Sequence, residues 1–209
     1  MRFAVGTVLA VLSLAGCGGM PAASHPAVQS WRIAYNGYGH VGISGARGDY
    51  RITLEPARPD SATTTHSALV LSATNWSDLI VEARIRTNIQ LRKPDPNSWE
   101  VGWLLWHYVD DDHFYYFILK PNGYELGKED RGYPGHQRFL ATANRPAFPV
   151  GRWYVVRVQQ RGAAISVSVD GRRLVSYVDI QSPYRSGRVG LYAEDASVTY
   201  KDVTLKSAP

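Results

Sequence analysis

A chain of 209 residues has the length of one domain with a core large enough to need no staples, and its single cysteine excludes an intramolecular disulfide. The formal charge of +5 is spread without a block of five or six like charges, so no nucleic-acid tail, and no nucleic-acid partner, is expected.

Arg2 precedes an uncharged apolar run from Phe3 to Ala15, too short to span a bilayer as a permanent helix. It ends in Leu14-Ala15-Gly16-Cys17, and Cys17 is the only cysteine. This stretch resembles the lipobox of bacterial lipoproteins. The resemblance implies a signal peptide over 1–16, lipidation of Cys17 and an exported chain held on the outer face of the cytoplasmic membrane, in the cell envelope. Loss of Arg2 would take the charge from +5 to +4. Residues 17–30, rich in Gly, Ala, Pro and Ser, read as a flexible tether. The folded domain is expected over 31–207.

From there on alternation dominates and helical periodicity is nearly absent. Leu79, Val81, Ala83 and Ile85 alternate with Glu82, Arg84 and Arg86; Ile165, Val167 and Val169 alternate with Ser166, Ser168 and Asp170. Asp170-Gly171 is a two-residue hairpin signal. Many short strands between regular turns predict an all-β sandwich or barrel.

Two strands, 101–109 and 114–120, flank Asp110, Asp111 and Asp112, whose side chains suit a hairpin loop. Asn122-Gly123 predicts the next turn. Pairing 109 with 114, and 121 with 124, sets the faces. One face collects Leu104, Trp106, Phe117, Leu119 and Leu126 and reads as core. The other collects Trp103, His107, Tyr116, Lys120, Glu125 and Glu129, with Leu105 and Ile118 among them. Rings interleaved with carboxylates and a base suit a sugar, whose C–H faces stack on the rings while its hydroxyls meet the polar groups. Trp103 and Tyr116 are the expected stacking residues. Glu125, Glu129 and Lys120 are the expected hydroxyl partners, and His107 suits either role. A half-exposed sheet face of mixed composition is the plain alternative.

The run from Glu100 to Asp130, and the later run with "WYVVRV", "VDG" and "GRVGLYAEDASV", resemble the concanavalin A-like lectin/glucanase superfamily. Within it they are most similar to laminin G-like and 3-keto-disaccharide hydrolase-like domains, and to actinobacterial lipoproteins described as calcium-binding. The resemblance implies an all-β, two-sheet antiparallel β-sandwich, a jelly roll with a concave ligand face. Its glycosidases carry Glu-x-Asp-x-Glu on one strand, a motif this sequence lacks. Glu125 and Glu129 share a face but sit about 13 Å apart along a strand, beyond either catalytic carboxylate spacing. Glu82 or Glu100 could supply a partner from another strand, and His107 a base.

The resemblance also implies a structural Ca2+ on the convex side, held by an acid on the last strand and by N-terminal oxygens. Asp202 stands where that acid would be. Val198 and Tyr200 are out of phase with Val203 and Leu205, which predicts a bulge near Lys201-Asp202, and the carbonyls of 35–39 are the expected further donors. Lys201 occupies a position where the relatives prefer a second acid. No zinc spacing, phosphate loop or Gly-x-Ser-x-Gly is present, and His25, His40, His66, His113 and His136 form no ligand pair. Three functions stand: a non-catalytic module binding envelope glycan or glycolipid, a glycoside-acting enzyme on the same face, and a calcium-stabilised protein-interaction module.

Overall fold

The computed structural model describes residues 30–45 and 50–209; the expected signal peptide, Cys17 and nearly all of the tether lie outside them. The described residues form fourteen strands. In chain order they are β1 (Trp31–Tyr35), β2 (His40–Ser44), β3 (Arg51–Glu55), β4 (Ser67–Ser72), β5 (Leu79–Gln90), β6 (Gly102–Asp110) and β7 (His113–Lys120). Then come β8 (Gly123–Asp130), β9 (Gln137–Ala143), β10 (Tyr154–Arg161), β11 (Ala164–Val169), β12 (Arg172–Val178), β13 (Arg188–Glu194) and β14 (Ala196–Ser207).

They make two antiparallel seven-stranded sheets, here sheet A, ordered β1-β4-β13-β6-β7-β8-β9, and sheet B, ordered β12-β11-β10-β5-β14-β3-β2. Alternation explains their stacking. Leu104, Trp106, Phe117, Leu119 and Leu126 of sheet A face Ile52, Leu54, Val81, Ala83, Val156, Val158, Val167 and Val198 of sheet B in one buried core. Burial of such side chains is worth about 1.5–3 kcal/mol each. This is the jelly-roll sandwich that the family resemblance implies, and of the two architectures the alternation allows it is the sandwich.

Two turns follow their sequence signals. Asp170 and Gly171 take φ of 48° and 80° between the paired Val169 and Arg172. Asp110 pairs with His113, so Asp111 and Asp112 form the loop. Asp110 Oδ1 accepts from the Asp112 N–H at 3.0 Å, and Tyr108 Oη donates to Asp111 at 2.8 Å. The aspartate run is loop chemistry, as its composition suggests.

Two registers differ from expectation, each by two residues. Lys120 pairs with Gly123, not with Glu125. The turn residues are therefore Pro121 and Asn122, and Gly123 absorbs the chain reversal at φ 137°. Proline pre-sets the first turn position, which favours this turn over one centred on Asn-Gly. On β6, Trp106 pairs with Tyr115 while Asp110 pairs with His113, so a two-residue bulge separates them. A shift of two leaves the faces unchanged, which is why the expected core face holds. Inside the bulge it does not: His107 takes φ 50°, and the alternation inverts there.

Candidate functional site: a carboxylate-lined aromatic cleft on sheet A

The outer face of sheet A carries a second apolar layer of Leu69, Leu71, Val101, Trp103, Leu105, Tyr116 and Ile118. It floors a cavity of about 690 Å³, a size typical of small-molecule sites. Trp99, Trp103, Tyr108, Phe114, Phe139 and Tyr192 supply rings to its walls. Its ionisable lining includes Asp111, Lys120, Glu125, Glu129 and Glu194.

The expected residues divide here. Trp103, Lys120, Glu125 and Glu129 line the cavity. Trp103 is 6% exposed, wedged between Tyr116 at 4.7 Å and Tyr192 at 5.4 Å between ring centres. Tyr116 is fully buried beneath the floor, so it supports the site and has no exposed ring on which a sugar could stack. Its hydroxyl donates to Glu125 Oε1 at 2.8 Å, while Lys120 Nζ donates to Glu125 Oε2 at 2.7 Å. Gly127 makes this possible: a Cβ there would stand 2.2 Å from Tyr116 Oη, so the glycine of "ELGK" is required for close approach.

His107 is not in the cleft. Its positive φ turns the ring away from the wet face, and it is buried. Nδ1 lies 2.9 Å from the Tyr184 carbonyl and Nε2 2.8 Å from that of Ser77. Burial lowers its pKa despite these contacts. The grouping of His107 with Trp103 is thus corrected: the bulge gives the wet position to Tyr108, which stacks on Phe114 at 5.7 Å.

Glu129 and Glu194 are the chemically uneven members. Burial pushes Glu129 up to about 7, opposed by a hydrogen bond from Gln137 and reinforced by the charges of Asp112 and Glu194. Gln137 Nε2 donates to Glu129 Oε1 at 3.1 Å. Burial raises Glu194 as well, against a hydrogen bond from Tyr192 whose length is 2.8 Å. Tyr192, Glu194 and Phe139 were not singled out from the sequence. Alternation within "GLYAE" does put Tyr192 and Glu194 on the face opposite Leu191 and Ala193. What it could not supply was the neighbour: β13 lies beside β6, some 80 residues away in the chain. Glu82 and Glu100, considered as partners, are elsewhere. Glu82 pairs with Arg157 on sheet B at 3.3 Å, and Glu100 is buried against Arg92 and Asn97.

The expected calcium donors do not fit an ion. The bulge near Lys201-Asp202 is present, with Asp202 at φ 53°, but its carboxylate meets the Arg84 guanidinium at 3.5 Å. The 36–39 turn adjoins His40, which pairs with Glu55, whereas Lys201 pairs with Arg51 at the other end of β3. About four residues of strand, on the order of 13 Å, therefore separate the two halves of the expected site. Among the described residues no group of three His, Cys, Asp or Glu side chains could hold a metal.

The sequence pattern of the 3-keto-alpha-glucoside-1,2-lyase-like domain matches residues 29–206. The chain belongs to that family. No curated protein sequence matches it. Among solved structures, carbohydrate binding module CBM66 from Bacillus subtilis is similar with a TM-score of 0.63 at 17% identity, over 88% of this chain and 99% of the module. The Bacillus licheniformis β-glucanase superimposes with a TM-score of 0.57 at 12% identity, over 89% and 95% of the two chains. A Bacteroides ovatus GH16 enzyme of a mixed-linkage glucan locus, in complex with a G4G4G3G product, gives 0.54 at 10% identity, over 86% and 94%. At these identities the likeness establishes the shared concanavalin A-like jelly roll.

Proposed function

We propose that the protein binds carbohydrate in the sheet A cleft. One observation carries this reading: aromatic rings and carboxylates together line one cavity, the combination that suits a pyranose with apolar faces and a polar rim. Glu125, held by Lys120 and Tyr116, is a fixed acceptor for hydroxyls. Phe139 and Trp99, 62% and 46% exposed, are the rings free to stack. The structural neighbours that bind or cleave glycans support the reading at the level of fold. The same proposal places the domain outside the cytoplasm, anchored through lipidated Cys17, with envelope glycan or glycolipid as its ligand; the N-terminal sequence supports that part. The binding is tested by titrating the protein with neutral oligosaccharides, with and without chelator. Saturable binding lost in Phe139→Ala supports the proposal, and a blank across neutral, amino and acidic glycans refutes it.

A second reading is favoured by Glu129. A carboxyl group titrating near 7 exists in both forms at neutral pH and can move protons. In the 1,2-elimination for which the family is named, a base removes the C2 proton, acidified by the C3 ketone. The electron pair becomes the C1–C2 double bond as the C1–O bond breaks, and the leaving oxygen takes a proton. Glu129 has the basicity for the first step, and the proton it takes up makes it a donor that can return a proton to the leaving oxygen. Turnover of a 3-keto-glucoside that disappears in Glu129→Gln, with binding retained, would select this reading over a purely binding role.

A further inference from the structure

The outer face of sheet B carries a group of side chains that the cleft does not use. Register places Arg51 opposite Lys201 on β3 and β14, and Lys201 opposite Arg84 on β14 and β5. Like charges directly opposite one another on a sheet repel. The row is nonetheless gathered around one ring: Lys201 Nζ lies 4.6 Å, Arg86 Cζ 4.7 Å and Arg84 Cζ 5.8 Å from the Trp153 ring centre. Three carboxylates share this part of the face: Glu82 against Arg157, Asp202 against Arg84, and Asp170, whose Oδ1 accepts from the N–H of Val155, the residue opposite Arg84. Glu55, at the far end of β3, accepts from Ser197. Among the described residues Arg86 and Lys201 enter no ion pair, and Arg84 Nε is buried with no hydrogen-bond partner. Cations thus outnumber local acids around a partly exposed indole.

We propose that this face docks on the headgroup layer of an anionic phospholipid bilayer. Charge complementarity selects an anionic partner, since each Lys or Arg near such a surface adds to the attraction. The indole selects a bilayer over a soluble polyanion, because tryptophan ringed by cations suits the headgroup level, with its apolar body toward the acyl chains and its N–H in the wet zone. The two-layer architecture then gives the docking a consequence. Sheet B's outer face lies opposite the cleft, so the bound domain would hold its cleft away from the membrane, open to glycan. A basic face is also the kind of second signal that turns a marginal lipid anchor into a stable one.

The experiment uses residues 17–209 with Cys17→Ser, so that no acyl chain contributes; among the described residues every buried hydrophobic core residue lies within this span. Sedimentation is measured with phosphatidylcholine vesicles and with vesicles that also contain phosphatidylglycerol. Binding to the anionic vesicles alone is expected, falling steeply as salt rises from 50 to 200 mM. Replacing Arg86 and Lys201 together by alanine lowers it roughly 10- to 30-fold. Lys201→Arg, which keeps the charge, retains binding, and so does the cleft variant Phe139→Ala. Equal partition onto both vesicle types, or unchanged binding by the double variant, overturns the proposal. So does binding to soluble polyglutamate without binding to vesicles, which would assign the face to an anionic polymer instead.

Discussion

Phe139 and Trp103 line the same cleft but differ in what their loss would do. Phe139 is mostly exposed, so Phe139→Ala should weaken glycan binding at least tenfold and leave the melting temperature nearly unchanged. Trp103 is buried between Tyr116 and Tyr192, and Trp103→Ala should cost about 3–5 kcal/mol of stability by leaving a cavity. Denaturant titration separates the two cases. Glu129 adds a pH signature. Its folded pKa is raised from 4.5 to about 7, so the stability it contributes is fully present below the unfolded value and is lost as pH rises through 7. Glu129→Gln removes this dependence, and the variant should gain in melting temperature relative to the parent between pH 5 and pH 8. Trp103, Lys120, Glu125 and Glu129 were legible as a face because strict alternation assigns faces. His107 was misplaced because a bulge with positive φ leaves no mark in an alternating run.

At the scale of elements, one connection is tied down from inside. Lys128 is fully buried on the core side of β8 and donates to Asp179 at 2.9 Å and to the Gln181 and Ser182 carbonyls. Tyr115 donates to the same aspartate at 2.6 Å. Burial pushes the Asp179 carboxyl up, yet the hydrogen bonds from Tyr115 and Lys128 outweigh it and hold it below the usual range. The network fastens the segment between β12 and β13, whose Tyr184 carbonyl in turn meets His107. Removing one partner of a buried pair leaves the other uncompensated. Lys128→Met should therefore destabilise the fold by about 3–5 kcal/mol, and hydrogen exchange should quicken first at residues 179–187. Nothing in "YELGKED" announces this. The strand pattern puts Lys128 on the core side with Leu126, a position that reads as an error until Asp179, fifty residues on, is beside it.

At the scale of the molecule, charge is segregated. The chain is basic, yet its cleft gathers Asp111, Glu125, Glu129 and Glu194 against Lys120, while the cations around Trp153 occupy the opposite sheet. A cleft of this sign should admit neutral and amino sugars and repel uronic acids, and the preference should shrink as salt screens it. Competition between matched neutral and acidic oligosaccharides at two ionic strengths checks this. The all-β class was legible from alternation and turn residues, because burial on one face forces period two; the choice of sandwich over barrel came from the family resemblance. Strand order was legible only within the hairpins, such as β6-β7-β8 and β11-β12; the joins β4-β13-β6 and β10-β5-β14-β3 bring together strands distant in the sequence.

That order sets a clock. β14, the final strand, is not an edge but lies between β5 and β3, pairing with β5 from Ala196 to Ser207. Sheet B therefore stays in two pieces until β14 is in place, and with it the core that both sheets share. Folding so dominated by distant pairings is slow to begin. A chain built this way commits to its fold late, and a truncation that removes Ala196–Tyr200 leaves sheet B divided.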